Sequence, residues 1–162
     1  MRPEVSLKQF VPSLVCLKCD GCCRYKQADS IWRPKLGQND QKNLGTFEDY
    51  VQSVQVCGQH FCRFLNTTDN TCGVYNKRPF ECLLYPFILS QRTDTIQVYV
   101  HLSCPFVQDH QPKEEFKAYV EYLKDFFSRQ DIREFLIKNK AMFHDYTPFA
   151  PELLHLFDFS YE

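Results

Sequence analysis

The sequence predicts an α+β fold with short hairpins and a C-terminal pair of amphipathic helices. Three observations carry that expectation. Nine cysteines stand in the first two thirds of the 162 residues and none follows Cys104. Ile96, Val98, Val100 and Leu102 alternate with Gln97, Tyr99 and His101, the period of a half-buried strand. From Pro112 the apolar residues recur at helical spacing instead.

The elements follow in order. Residues 1–15 form a short extended lead. Gly21 lets the chain fold tightly between Cys19 and Cys22. Residues 24–36 are irregular or extended and hold the single Trp. Thr46-Phe47-Glu48-Asp49 matches a capping box, and Phe47, Tyr50, Val51 and Val54 then fall at i, i+3, i+4 and i+7. That pattern predicts a short amphipathic helix, stopped by Gly58 with Cys57 at its end. In HFCRFLNTTDNTCGVY two apolar runs flank a polar stretch, which predicts a hairpin bringing Cys62 and Cys72 together. Pro79 opens a short helical turn and Pro86 ends it. A helix N-terminus beside Cys82 would favour its thiolate.

Residues 87–90 are expected to pair with the 96–102 strand across QRTD. Phe116, Tyr119, Val120, Leu123, Phe126 and Phe127 form one stripe on a helix of about four turns. Ser128-Arg129-Gln130-Asp131 is a second capping box, so a new helix starts there, with Ile132, Phe135, Leu136 and Phe143 inward. The tail from Pro148 is rich in Pro and aromatics and is expected to dock. A single domain over 1–162 is predicted, with 1–108 as the cysteine-rich part and 109–162 as a helical cover.

Composition narrows the function classes. The net charge is −1 and the 19 Lys and Arg form no dense run, so neither nucleic acid nor an anionic membrane is an expected partner. The longest apolar run, Leu83 to Leu89, contains Pro86 and is too short to span a bilayer. With no export signal legible, the expected location is cytoplasmic, where thiols stay reduced. An odd cysteine total and the adjacent Cys22-Cys23 pair argue against a disulfide scaffold. No P-loop, GxGxxG or HExxH occurs, so no nucleotide or zinc-protease fingerprint is present. An aromatic share of 15% suggests a core built on rings.

The chemistry lies in Cys16-x2-Cys19-x2-Cys22-Cys23. Thiolates are soft donors for zinc and iron–sulfur clusters, and two-residue spacers let successive sulfurs converge on one centre. The run resembles the three-ligand stretch of bacterial ferredoxins, where one loop wraps a corner of a [4Fe–4S] cube. Adjacent side chains in extended backbone point apart. Cys22 and Cys23 therefore serve different centres, or only one is a ligand. One zinc ion uses four donors; the larger thiol total suggests a polynuclear cluster or two sites. A metal-stabilised domain is the consequence, because crowded thiolates repel without a cation. His60, in Cys57-x2-His60-x-Cys62, is read as a surface or outer histidine and His101 as solvated on the polar face of its strand. Arg78 could donate toward a thiolate or pair at the surface.

The motifs continue in order through Cys62-Arg63-Phe64-Leu65, Cys72-Gly73-Val74-Tyr75, Arg78-Pro79 and Cys82. Together they resemble the CxxCxxCC cysteine-cluster family, also called YkgJ-like and described as a zinc- or iron-chelating domain. The resemblance covers roughly residues 14–106. It implies metal ligation by Cys16, Cys19, Cys22, Cys23, Cys62, Cys72 and Cys82, with zinc or iron as cofactor. It assigns no role to Cys57 or Cys104. Flagellin lysine methylases carry the same cysteine pattern, so the resemblance also admits an iron–sulfur enzyme or redox protein. A zinc-organised interaction domain is the third reading; no particular protein partner is implied.

Overall fold

The computed structural model describes residues 5–19 and 21–161. The first four residues of the expected lead lie outside that range. Helices and strands are both present, as an α+β chain requires. The chain divides into two compact units: residues 11–83, and residues 5–10 together with 84–161.

In the 11–83 unit, α1 (Ser13–Cys16) is one turn that ends on the first cysteine. Then come β1 (Arg24–Tyr25), α2 (Gln38–Leu44), β2 (Ser53–Val56), β3 (Gln59–Cys62), β4 (Leu65–Asn66) and β5 (Thr71–Cys72). A 3-10 turn at Tyr75–Lys77 precedes α3 (Phe80–Leu84). β3 is the centre of a three-stranded antiparallel sheet ordered β1-β3-β2. β4 and β5 form the hairpin expected from the sequence, with Leu65 opposite Cys72. The turn after Pro79 is also present, as α3. Tyr25, Leu36, Val51 and Cys62 are the buried core here, with Cys23, Trp32, Leu44, Phe64 and Leu65 packed against them.

The helix expected from Phe47 to Val54 does not form. Tertiary partners take its backbone groups. Leu36 N–H donates to Asp49 O at 2.8 Å, Val51 N–H donates to Pro34 O at 2.8 Å, and Lys35 bridges Tyr50. Thr46 Oγ1 accepts the Glu48 N–H, as in a turn rather than a cap. Phe47 is fully exposed. Ser53–Val56 is a strand instead, and Cys57 and Gly58 make its hairpin turn, both at positive φ (49° and 78°). Two positive-φ residues suit the right-handed twist of flanking strands. The helix lies earlier, in the polar segment Gln38–Leu44, and ends at Gly45 in the left-handed region. That segment has no apolar period to announce it. Asp40 closes its start by accepting the Gly37 N–H at 3.0 Å.

The second unit is built on an antiparallel sheet, β6 (Phe87–Arg92), β7 (Thr95–His101) and β8 (Leu153–Phe159), with β7 central. α4 (Pro105–His110), α5 (Glu114–Ser128) and α6 (Gln130–Lys138) lie between β7 and β8 in sequence. The pairing of 87–92 with 95–101 follows the alternation read in the sequence. α5 buries Phe116, Tyr119, Leu123, Phe126 and Phe127, the residues of the predicted stripe. Arg129 rather than Ser128 stands at the N-cap of α6, held to Asp131. The tail docks as β8, so the region after 109 is not helical throughout. Phe159 stacks on Phe127 with centroids 4.8 Å apart, and Ile96, Val98 and Val100 are fully buried beneath. Among the described residues no helix is long and apolar enough to cross a membrane.

His101 is not solvated. It is 7% exposed, with Nδ1 at 3.0 Å from Tyr85 Oη and Nε2 at 2.6 Å from Ser103 Oγ. Strand alternation failed here because Tyr85 and Ser103 close on the imidazole, so the face it takes is not open to water. Burial pushes the imidazole below its ordinary value, and the Glu152 charge opposes this only in part. The unfolded imidazole then binds its proton at a higher pH than the folded one. Stability from this group is present above about pH 6.5 and falls as the pH drops below it. The protection factors of β7 amides, exchange corrected for its intrinsic slowing, are expected to fall between about pH 7 and 5. His101→Gln should flatten that dependence; an unchanged slope would refute the assignment.

Candidate metal centre

Four segments of the 11–83 unit carry the seven motif cysteines. α1 and the following loop supply Cys16, Cys19, Cys22 and Cys23; β3 ends on Cys62, β5 on Cys72, and α3 holds Cys82. The first loop turns through Cys19 N–H to Cys16 O and Arg24 N–H to Gly21 O. A Cβ on Gly21 would stand 3.3 Å from Cys19 Sγ, so a side chain there would press on the sulfur. Cys62 N–H donates to Cys23 O at 2.8 Å and fastens this loop to β3. Gly73 N–H donates to Phe64 O at 2.8 Å and closes the hairpin behind Cys72. Cys82 is fixed through its helix: Asp40 Oδ1 accepts the Phe80 N–H at 3.2 Å, and Glu81 Oε2 accepts the Lys35 N–H at 2.7 Å.

The thiols feel one another. Cys22 is pushed well up by the hydrogen bond it gives Cys23, then by burial and by Cys23, Cys16 and Cys82 nearby. Cys23 moves down because it accepts that bond, against its burial and with help from the Arg24 charge. Burial pushes Cys62 up to about 11; backbone N–H donation from Phe64 and Leu65 opposes this, while Cys23 and Cys72 add to it. Cys72 is raised by burial, with Val74 N–H donation and the Arg78 charge opposing. Cys82 is pushed well up by burial, then by Cys23, Cys62, Glu81 and Cys72. Burial thus disfavours the charged forms of Cys22, Cys62, Cys72 and Cys82, a cost that a bound cation would offset.

All nine cysteines carry free thiols. Cys57 is exposed in the β2–β3 turn, and its neighbourhood is not that of the cluster. Cys104 belongs to the other unit, where it is buried. His60 lies on β3 opposite Tyr25, half-buried. Arg78 covers the Tyr75 ring at 3.7 Å and donates to Tyr75 O.

Three residues around the thiols were not singled out from the sequence. Asn70, at φ 63°, accepts from Arg24 Nη2 and donates to Cys19 O, each at 2.7 Å. It ties the hairpin turn to the first cysteine loop. Arg24 Nη1 and the Tyr25 hydroxyl are buried without a hydrogen-bond partner among the described residues. The signal available was their place directly after Cys22-Cys23, where polar groups have thiols for neighbours.

The family model for CxxCxxCC, described as "Putative zinc- or iron-chelating domain", matches residues 15–117. The chain belongs to the CxxCxxCC family. No curated protein and no solved structure matches it. For a CxxCxxCC domain the implied group is zinc or iron, and the donor chemistry present fits one. The sulfurs are soft donors, and the backbone N–H groups of Phe64, Leu65 and Val74 favour the thiolate forms of Cys62 and Cys72. Buried N–H and O–H groups without acceptors stand beside them. Among the described residues no three His, Cys, Asp or Glu side chains are yet arranged to hold an ion, so binding requires the sulfurs to draw together.

Proposed function

We propose that this chain is a thiolate metal-binding protein in which Cys16, Cys19, Cys22, Cys23, Cys62, Cys72 and Cys82 hold zinc or iron. The electrostatic coupling of Cys16, Cys22, Cys23, Cys62, Cys72 and Cys82, thiols from four separate segments of one small unit, carries this reading. Local packing gives no reason to gather them, since each buried thiol raises the cost of ionising the next. Seven sulfurs exceed the four donors of one zinc ion, which supports a polynuclear centre or two adjacent sites. Within this reading, the Cys16-x2-Cys19-x2-Cys22 spacing favours a [4Fe–4S] cluster completed by one downstream cysteine. Bound there, the group would cross-link the four segments and, as a cluster, carry an electron.

The test is compositional. Protein isolated without air should contain stoichiometric iron and acid-labile sulfide, with thiolate-to-iron charge-transfer absorption. Stoichiometric zinc, colourless and free of labile sulfide, would remove the cluster and leave a zinc thiolate site. Reduced protein with neither metal would refute metal binding.

A further inference from the structure

We propose that the Tyr25 hydroxyl donates a hydrogen bond to a sulfur of the bound centre, making Tyr25 a positioning residue for the metal site. The inference rests on the metal-binding reading above and adds a residue outside the cysteine motif.

Tyr25 is 8% exposed and sits in one buried cluster with Cys62, with Cys23 packed against it. Its ring is fixed by pairing of β1 with β3, Tyr25 opposite His60. Alternation along β3 then puts His60 and Cys62 on the same sheet face as Tyr25. Among the described residues the hydroxyl has no hydrogen-bond partner, and His60 across the strand does not supply one. Such groups are rare in folded proteins and call for a reason. The thiols packed in that cluster with the ring are those of Cys62 and Cys23. A neutral thiol is a weak acceptor, whereas a metal-bound thiolate is a good one. The donor is therefore in place before its acceptor exists. A centre held by several thiolates keeps net negative charge, and a buried O–H aimed at sulfur lowers the cost of that charge.

Cobalt(II) is a suitable probe, added to reduced, full-length wild-type and Tyr25→Phe protein in a competition with chelator. Phe keeps the ring and removes only the hydroxyl. The variant is expected to bind cobalt about 10–100-fold more weakly. Its thiolate-to-cobalt charge-transfer bands should move to lower energy, because sulfur without the bond is more electron-rich. A merely structural tyrosine would not shift those bands. Equal affinity and identical bands would overturn the Tyr25 proposal while metal binding stood. Wild-type protein that takes up no cobalt would overturn both. A second measurement needs no variant: wild-type protein loaded with an NMR-active cadmium isotope should show the Tyr25 hydroxyl proton coupled to cadmium across the hydrogen bond. A hydroxyl that exchanges with water, with no such coupling, would overturn the proposal.

Discussion

Stripping metal from the reduced protein is expected to abolish the cooperative unfolding of residues 11–83 while the β6-β7-β8 sheet keeps its own transition. The reason is the poverty of that unit's core. Its described elements are short: α-helices of four to seven residues and strands of two to four. Among the described residues its buried hydrophobic side chains include Val11, Tyr25, Leu36, Val51, Phe61 and Phe80, together with the thiol of Cys62. Small cores of this kind rarely outweigh chain entropy without a staple. Structural metal supplies ~10–16 kcal/mol in thiolate peptides near neutral pH, enough to decide whether such a unit folds. The other unit buries Phe87, Phe126, Phe127, Leu123 and Ile132 almost completely and needs no such help. Chelator titration followed by residue-resolved hydrogen exchange separates the two. Full protection of β3 and α3 in verified metal-free, reduced protein would show that the metal is not what stabilises them.

Single Cys→Ser substitutions are expected to split into two groups by metal content. Cys16, Cys19, Cys22, Cys62, Cys72 and Cys82 should each lose most of the bound metal, beyond the ~10–100-fold typical of losing an outer partner of a ligand. Cys23 should join them, because Cys22, Cys62, Cys72 and Cys82 all respond to its charge. Cys57→Ser should keep wild-type metal, since Cys57 is exposed in a turn whose demand is for positive φ. Cys104→Ser should keep it too, and lose stability in its own unit instead. Metal analysis after gel filtration under reducing conditions gives the answer. Equal loss for Cys57→Ser and Cys19→Ser would break the ranking.

The expected insensitivity of Cys57 survives a change in its reason. The sequence placed it at a helix end; it stands in a hairpin turn. The capping box at Thr46–Asp49 was a true local signal overruled by distant partners. Leu36 and Pro34 take its backbone groups, and Tyr50 bridges Lys35. α2 and β8 failed to announce themselves for related reasons. Gln38–Leu44 has no apolar stripe, and Leu153–Phe159 reads as a docking tail until β7 offers it an edge. His101 was misplaced because alternation tells which face a side chain takes, not what covers that face.

What local spacing encodes was legible from the chain alone: the hairpin between Cys62 and Cys72, the turn bearing Cys82, the 87–101 hairpin and the stripe of α5. The donor chemistry was legible too, because residue type and two-residue spacers are written directly in the sequence. The tertiary structure alone decided that Asn70 joins Arg24 to Cys19, and that the Tyr25 hydroxyl is buried beside Cys62 and Cys23 with no acceptor among the described residues. Those contacts close loops of tens of residues. Their formation depends on the balance between loop entropy and burial across the whole unit, which no short window of sequence contains.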